Sequence, residues 1–256
     1  MDGERRRLAL LLEYDGSRYA GSQLQQNGPS IQGELERAVE AMTGNFARVA
    51  FAGRTDAGVH ALGQVAAFDT VAPYSSEAFR GGLNVRLPEA IAVRAVAEVA
   101  TGFDPRREAL ARRYQYRIVN SVTRSPLLRA RAWQVRARLD DELVSAAAVL
   151  LLGEQDFAAF ASREASQAST RREIRDVALR RRDRVVTLEI EANAFLMHQV
   201  RRTVAALVEV GLGKRRIADF ERALREAKPG FFELTAPPHG LSLMRVRYEP
   251  AIFDQE

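Results

Sequence analysis

The hydrophobic periodicity of this chain runs strand, helix, strand, strand, helix, strand, and then repeats that order, which few folds can accommodate. Leu8 to Tyr14 is an apolar run of strand type, closed by Asp15-Gly16, and a polar, glycine-bearing loop extends from Asp15 to Pro29. Ser30 then caps a helix through Met42, with Ile31, Leu35, Val39 and Met42 on one face and Gly44 just past the end. Arg48 to Ala52 and Gly63 to Asp69 read as the second and third strands. Ser75-Ser76-Glu77 opens a helix that fades near Leu83, and Ala90 to Val99 alternates as a fourth strand.

The second half follows suit. Arg112 to Val119 alternates Tyr114, Tyr116 and Ile118 with Arg113, Gln115 and Arg117, a strand with one wet face. A basic, Pro-containing connection (Arg124 to Arg138) leads to a helix from Asp140 to Leu152, followed by Gly153. Glu173 to Arg182 and Val185 to Ala192 form a hairpin around Asp183. Leu196 to Val210 is an amphipathic helix, Ala218 to Ala227 an inserted one, and Leu241 to Tyr248 the closing strand. Two βαββαβ units predict an α+β fold of two ferredoxin-like halves, residues 1–104 and 105–256. Together they would form a broad, mainly antiparallel sheet with helices behind it and a central cleft. The expectation rests on pattern, because the halves share no residue-level repeat.

Several chemistries are excluded at the outset. The chain has no cysteine, which removes disulfides, thiolate nucleophiles and thiolate metal sites together. His60, His198 and His239 lack ligand spacing, so no metal is expected. No apolar run is long enough to span a membrane, and Glu13-Tyr14-Asp15 cuts short the apolar run near the N-terminus, so a cytoplasmic protein is expected. The net charge is +5, and Lys occurs only at 214 and 228, so the basic residues are nearly all Arg. Arg binds phosphate as a fork and stacks on bases, which suits nucleic acid; codon bias would give the same composition. Clusters at Arg106-Arg107, Arg112-Arg113, Arg124 to Arg138, Arg171-Arg172 and Lys214-Arg215-Arg216 fit a phosphate-tracking surface, though each alone reads as a solvated face.

The string Ala52-Gly53-Arg54-Thr55-Asp56-Ala57-Gly58-Val59-His60 places a carboxylate in a tight loop between two strands. Its glycines allow a sharp turn and close ligand approach, and Asp-Ala-Gly alone is also an ordinary turn. Further on, Ala111-Arg112-Arg113-Tyr114 with Tyr116 opens a strand, and Phe195 precedes Val200-Arg201 on the amphipathic helix, Arg201 at the edge of its apolar stripe and Arg202 facing away. Read alone, Tyr114 and Tyr116 are core tyrosines, Arg201 is a snorkelling side chain and Arg54 a loop brace. Ser162 to Thr170 is small, polar and non-periodic, a loop expected to order on RNA.

Taken together these strings resemble the pseudouridine synthases of the TruA type. The likeness runs from Tyr14-Asp15-Gly16 with Tyr19-Ala20-Gly21 to Gly240-Leu241-Ser242-Leu243. It departs from the family at Ser22, Arg202, Ala205 and Ser242, where Trp, Asn, Gly and Tyr are common. The resemblance implies that Asp56 is the catalytic residue, that Arg201 pairs with it, and that Tyr114 contacts the target base. It also implies that Arg54 fills the space a flipped base leaves. The implied activity is uridine isomerisation in the anticodon arm of tRNA, at positions 38, 39 and 40, by a homodimer holding one tRNA across both subunits. Such a reaction detaches the base and reattaches it through C5 with no net atom gained or lost, so no cofactor is expected. A silent RNA-binding module is the rival, but the chain has no RNP-type aromatic string, and no Walker or dinucleotide pattern supports a phosphate-binding enzyme.

Overall fold

The computed structural model describes residues 4–26, 28–161 and 169–253. Contacts divide the chain into two compact units, Met1–Leu110 with Leu243–Glu256, and Ala111–Ser242.

In the first unit the central strand is β1 (Arg6–Tyr14). It is followed by helix α1 (Ile31–Thr43), β2 (Ala50–Phe51), β3 (His60–Thr70), α2 (Ser76–Arg86) and β4 (Ile91–Val99). β1 pairs antiparallel with β3 on one side and β4 on the other, Leu10 lying opposite Ala66 and Val96. Short β2 adds to β3 at Ala66 and Ala67. The order β4-β1-β3-β2 is the ferredoxin-like arrangement the sequence pattern predicts. Leu8 to Leu12 are all buried, as their unbroken apolar run requires.

The helix ends follow from their caps. Ser30 Oγ accepts from Gly33 N–H and Gly44 closes α1 at φ 73°, a left-handed geometry that glycine adopts without strain. Ser75 Oγ accepts from Ala78 N–H at the start of α2, which runs to Arg86 rather than fading at Leu83. A Cβ on Gly82 would lie 2.7 Å from the Met42 side chain, so glycine lets α1 and α2 approach.

The second unit contains β5 (Ala111–Asn120), β6 (Trp133–Val135), α3 (Asp141–Val149), β7 (Gly153–Asp156), β8 (Arg171–Arg182), β9 (Val185–Ala192), α4 (Gln199–Gly211) and α5 (Ile217–Glu226). Its strands run in the order β5-β9-β8-β7, with β6 parallel to β5. Tyr114, Tyr116 and Ile118 face inward, while Arg113 on the other face bridges to Asp176 and Glu191 at 3.0 and 2.9 Å. The β8–β9 hairpin turns at Asp183, φ 54°. Phe160, Phe220 and Phe232 pack as a cluster beneath α5.

In this unit the ends of α3 and α4 differ from expectation. α3 stops at Val149, and Gln155 Nε2 donates to the carbonyls of Leu150 and Leu152 that a longer helix would have used; β7 follows, too short and polar to show a period. α4 begins at Gln199, because His198 is left-handed at φ 62° and Gln199 Oε1 takes the Leu196 N–H. The chain closes with β10 (Leu241–Arg247), whose residues from Leu243 group with the first unit and which hydrogen-bonds to β3. The loop expected at Ser162 to Thr170 falls, at 162–168, outside the described residues.

Candidate active site

Asp56 sits half-buried in the loop joining β2 to β3, with Arg54 exposed and Thr55 buried on its N-terminal side. The loop turns on itself through Val59 N–H to Asp56 O at 3.1 Å, and Gly58 takes φ 78° within that turn. It does not stand alone. The segment after β1 is bound to it at every third residue, Gly16, Tyr19 and Ser22.

Ser22 N–H donates to Thr55 O at 3.0 Å, and Thr55 N–H donates back to Ser22 Oγ at 2.8 Å. Gly58 N–H reaches Tyr19 O at 3.3 Å, and Gly16 N–H reaches His60 Nδ1 at 3.1 Å. A Cβ on Gly16 would lie 1.9 Å from Val59 O, so this backbone approach requires glycine. Beneath the loop the Tyr14 hydroxyl meets Thr55 Oγ1 at 2.8 Å, and Gln64 Nε2 donates to Gly53 O at 2.8 Å. Burial pushes the Tyr14 phenol up to about 12, against the pull of its bonds to Thr55 and Gln64. The carboxylate is thus carried on a short loop in which Gly53, Thr55, Gly58 and His60 are each tied to the surrounding fold by hydrogen bonds.

Tyr114 and Arg201 belong to the second unit. Tyr114, on β5 opposite Ile190, is 8% exposed and meets Phe195 edge-on at 5.3 Å. Tyr116, read as a core residue, is 1% exposed, and its hydroxyl donates to Pro237 O at 2.7 Å. Arg201, near the start of α4, donates from Nε to Ala236 O at 2.8 Å and receives Ala236 N–H at its own carbonyl. Adjacent carbonyls of one segment therefore hold Tyr116 and Arg201. Burial drives the Tyr116 phenol far above its ordinary range, with the charge of Arg201 pulling it down. Arg202 is turned the other way, donating from Nη1 to Ala161 O at 2.6 Å.

Ser22, Tyr14 and Gln64 are the residues that sequence reasoning missed as supports. Ser22 is 0% exposed, and only its placement against Thr55 reveals its task. Gly16 and Gly21 offered a signal, being glycines close together in one loop; Gly21 has φ 119° and backs onto Thr55 O. Among the described residues no group of three or more His, Cys, Asp or Glu is arranged to hold a metal, and no helix is long and apolar enough to cross a membrane.

The model of the tRNA pseudouridine synthase family matches residues 11–106 and 147–249 of this sequence, spanning the Asp56 loop, β9 and α4. The chain belongs to that family. It is similar to tRNA pseudouridine synthase A of Myxococcus xanthus, 46% identical over 94% of this chain and 92% of the relative. The corresponding protein of Geobacter sp. (strain M21) is 40% identical over 95% of this chain and 99% of its own length. The synthase is accordingly an isomerase of the pseudouridine-forming class.

Proposed function

We propose that this synthase converts uridine to pseudouridine in the anticodon stem-loop of tRNA, at positions 38, 39 and 40, with Asp56 as the catalytic residue and no cofactor. The observation that carries this reading is the near end-to-end likeness to tRNA pseudouridine synthase A of Myxococcus xanthus. Asp56 acts on the sugar or the ring as the N1–C1′ bond breaks; the base then rotates and bonds to C1′ through C5. The C5 proton leaves and N1 gains one, so the atoms balance without an added reagent. Arg201 pairs with the Asp56 carboxylate in this reading and stabilises charge that develops in the reaction. Tyr114 lies against the base and in the proton path from C5. Arg54 fills the stack that the extruded nucleotide leaves, offsetting a flipping cost of about a few kcal/mol.

The acting unit in this reading is a homodimer holding one tRNA across both subunits in the cytoplasm, with no metal. The test is incubation with unmodified tRNA and no added cofactor, followed by nucleoside analysis. Pseudouridine at those positions, lost in an Asp56→Asn protein that still binds tRNA, supports the reading. Product from Asp56→Asn, or none from the wild type, refutes it.

A further inference from the structure

A cavity of about 240 Å³ opens in the second unit at the far end of β5. Val119, Leu128, Ala132 and the indole of Trp133 give it apolar walls, and Arg124 and Arg129 also line it. Val119 is five residues along the strand from Tyr114, about 17 Å at the usual rise of a strand, so this is not the place where Tyr114 would meet a base.

Three features say what it takes. Trp133 is the chain's single tryptophan, half-buried, perpendicular to the Tyr116 ring at 6.4 Å, and it lines the cavity. An indole beside aliphatic walls suits a nucleobase, since aromatic side chains stack on bases of any sequence. Next, Arg124 and Arg129 are exposed, and neither forms an ion pair with a described residue. Lastly, residues 121–139 hold five arginines and no carboxylate, so the segment that forms most of the cavity is strongly basic. Val122 and Leu127 beside it are 79% and 94% exposed, which by itself would suit a second copy of the chain. A two-fold contact, however, would set these arginines against their own copies with no acid in the segment to compensate.

We propose that this cavity receives an unstacked base of the RNA substrate, at a nucleotide other than the one isomerised, with Arg124 and Arg129 on the adjoining phosphates. The inference rests on the tRNA reading above and adds a second anchoring point to it.

Because Trp133 is unique, its emission reports on the cavity alone. The Asp56→Asn protein, which should bind without turnover, is titrated with tRNA and separately with UMP. Saturable quenching by tRNA, with UMP far weaker, is expected. In an Arg124→Ala/Arg129→Ala protein, tRNA affinity should fall roughly tenfold, and the slope of log affinity against log salt should drop by about 1–2. In turnover that loss appears in KM rather than kcat.

Unchanged emission at saturating tRNA overturns the proposal, as does unaltered binding by a folded double variant. UMP binding as tight as that of tRNA would make it a free-nucleotide site and overturn it too. A double variant that dissociates in sedimentation would assign the face to a second copy, again overturning it. Failure of the wild type to make pseudouridine refutes the activity instead, whatever Trp133 does.

Discussion

Ser22 and Thr55 are joined twice, Ser22 N–H to Thr55 O at 3.0 Å and Thr55 N–H to Ser22 Oγ at 2.8 Å, immediately before the Asp56 carboxylate. The second bond depends on a hydroxyl. Ser22→Ala leaves the buried Thr55 N–H without its acceptor, at an expected cost of about 1–3 kcal/mol. Urea unfolding gives that loss, and faster hydrogen exchange at Thr55 shows where it falls. Turnover should drop more than tRNA affinity, since the loop positions Asp56; a protein as stable and as active as wild type would show that the bond does neither.

Tyr14 yields a pH prediction. Burial pushes its phenol up to about 12, above the ordinary value of 10. In the unfolded chain it loses its proton near 10, so the folded form holds one more proton between those limits, and stability must fall as pH rises through that window. Below pH 10 both states are protonated and the group has no pH effect. The full loss is roughly 2–3 kcal/mol by pH 12. Tyr14→Phe should lower stability at pH 7 by about 1 kcal/mol, through the lost bond to Thr55, and flatten the alkaline decline. Parallel decline in both proteins, read from denaturant melts at pH 9 to 12, would contradict this.

Two glycines should respond in opposite directions to the same substitution. Gly16→Ala places a methyl group 1.9 Å from Val59 O, a backbone atom that cannot yield without moving the Asp56 loop. Destabilisation by about 3 kcal/mol or more is expected, with activity lost. A Cβ added at Gly81, inside α2, would meet nothing within 4 Å, so Gly81→Ala should stabilise by about 0.5–1 kcal/mol. Thermal melts of the two proteins settle both signs.

Arg201→Ala should abolish most turnover, by about 100-fold or more, if the guanidinium pairs with the reacting carboxylate. The fold should survive with a lower melting temperature, because the Nε bond to Ala236 O is lost as well. Arg201→Lys separates the two roles: a single ammonium retains charge but not the fork. Near-wild-type turnover in Arg201→Ala would end the pairing hypothesis.

The elements most legible from sequence are those with a chemical end-marker. α1 was bounded by Ser30 and Gly44, and the β8–β9 hairpin by Asp183, because caps and turns act within a few residues of chain. β7 and the true start of α4 were not legible: four polar residues have no period, and His198 stops a helix only through a backbone angle that no side-chain pattern encodes. The Asp56 string was recognisable. Its scaffold was not, because the Ser22–Thr55 and Gly16–His60 contacts join residues 33 and 44 apart. Nor could the Arg124 to Arg138 connection reveal that Trp133 joins β5 as a parallel strand and walls a cavity.

β3 carries a further consequence for how the molecule is made. Its stretch around Gly63 lies so near β10 that a Cβ there would be 2.3 Å from Met244 O, yet about 180 residues of chain must leave the ribosome between the two. While the whole second unit is being synthesised, that flank of β3 stays an open sheet edge, the kind of surface that invites wrong partners. Apart from Leu62, the residues there are Ala61, Gly63 and Gln64, small or polar side chains that give a nascent polypeptide little to adhere to until its own late strand arrives.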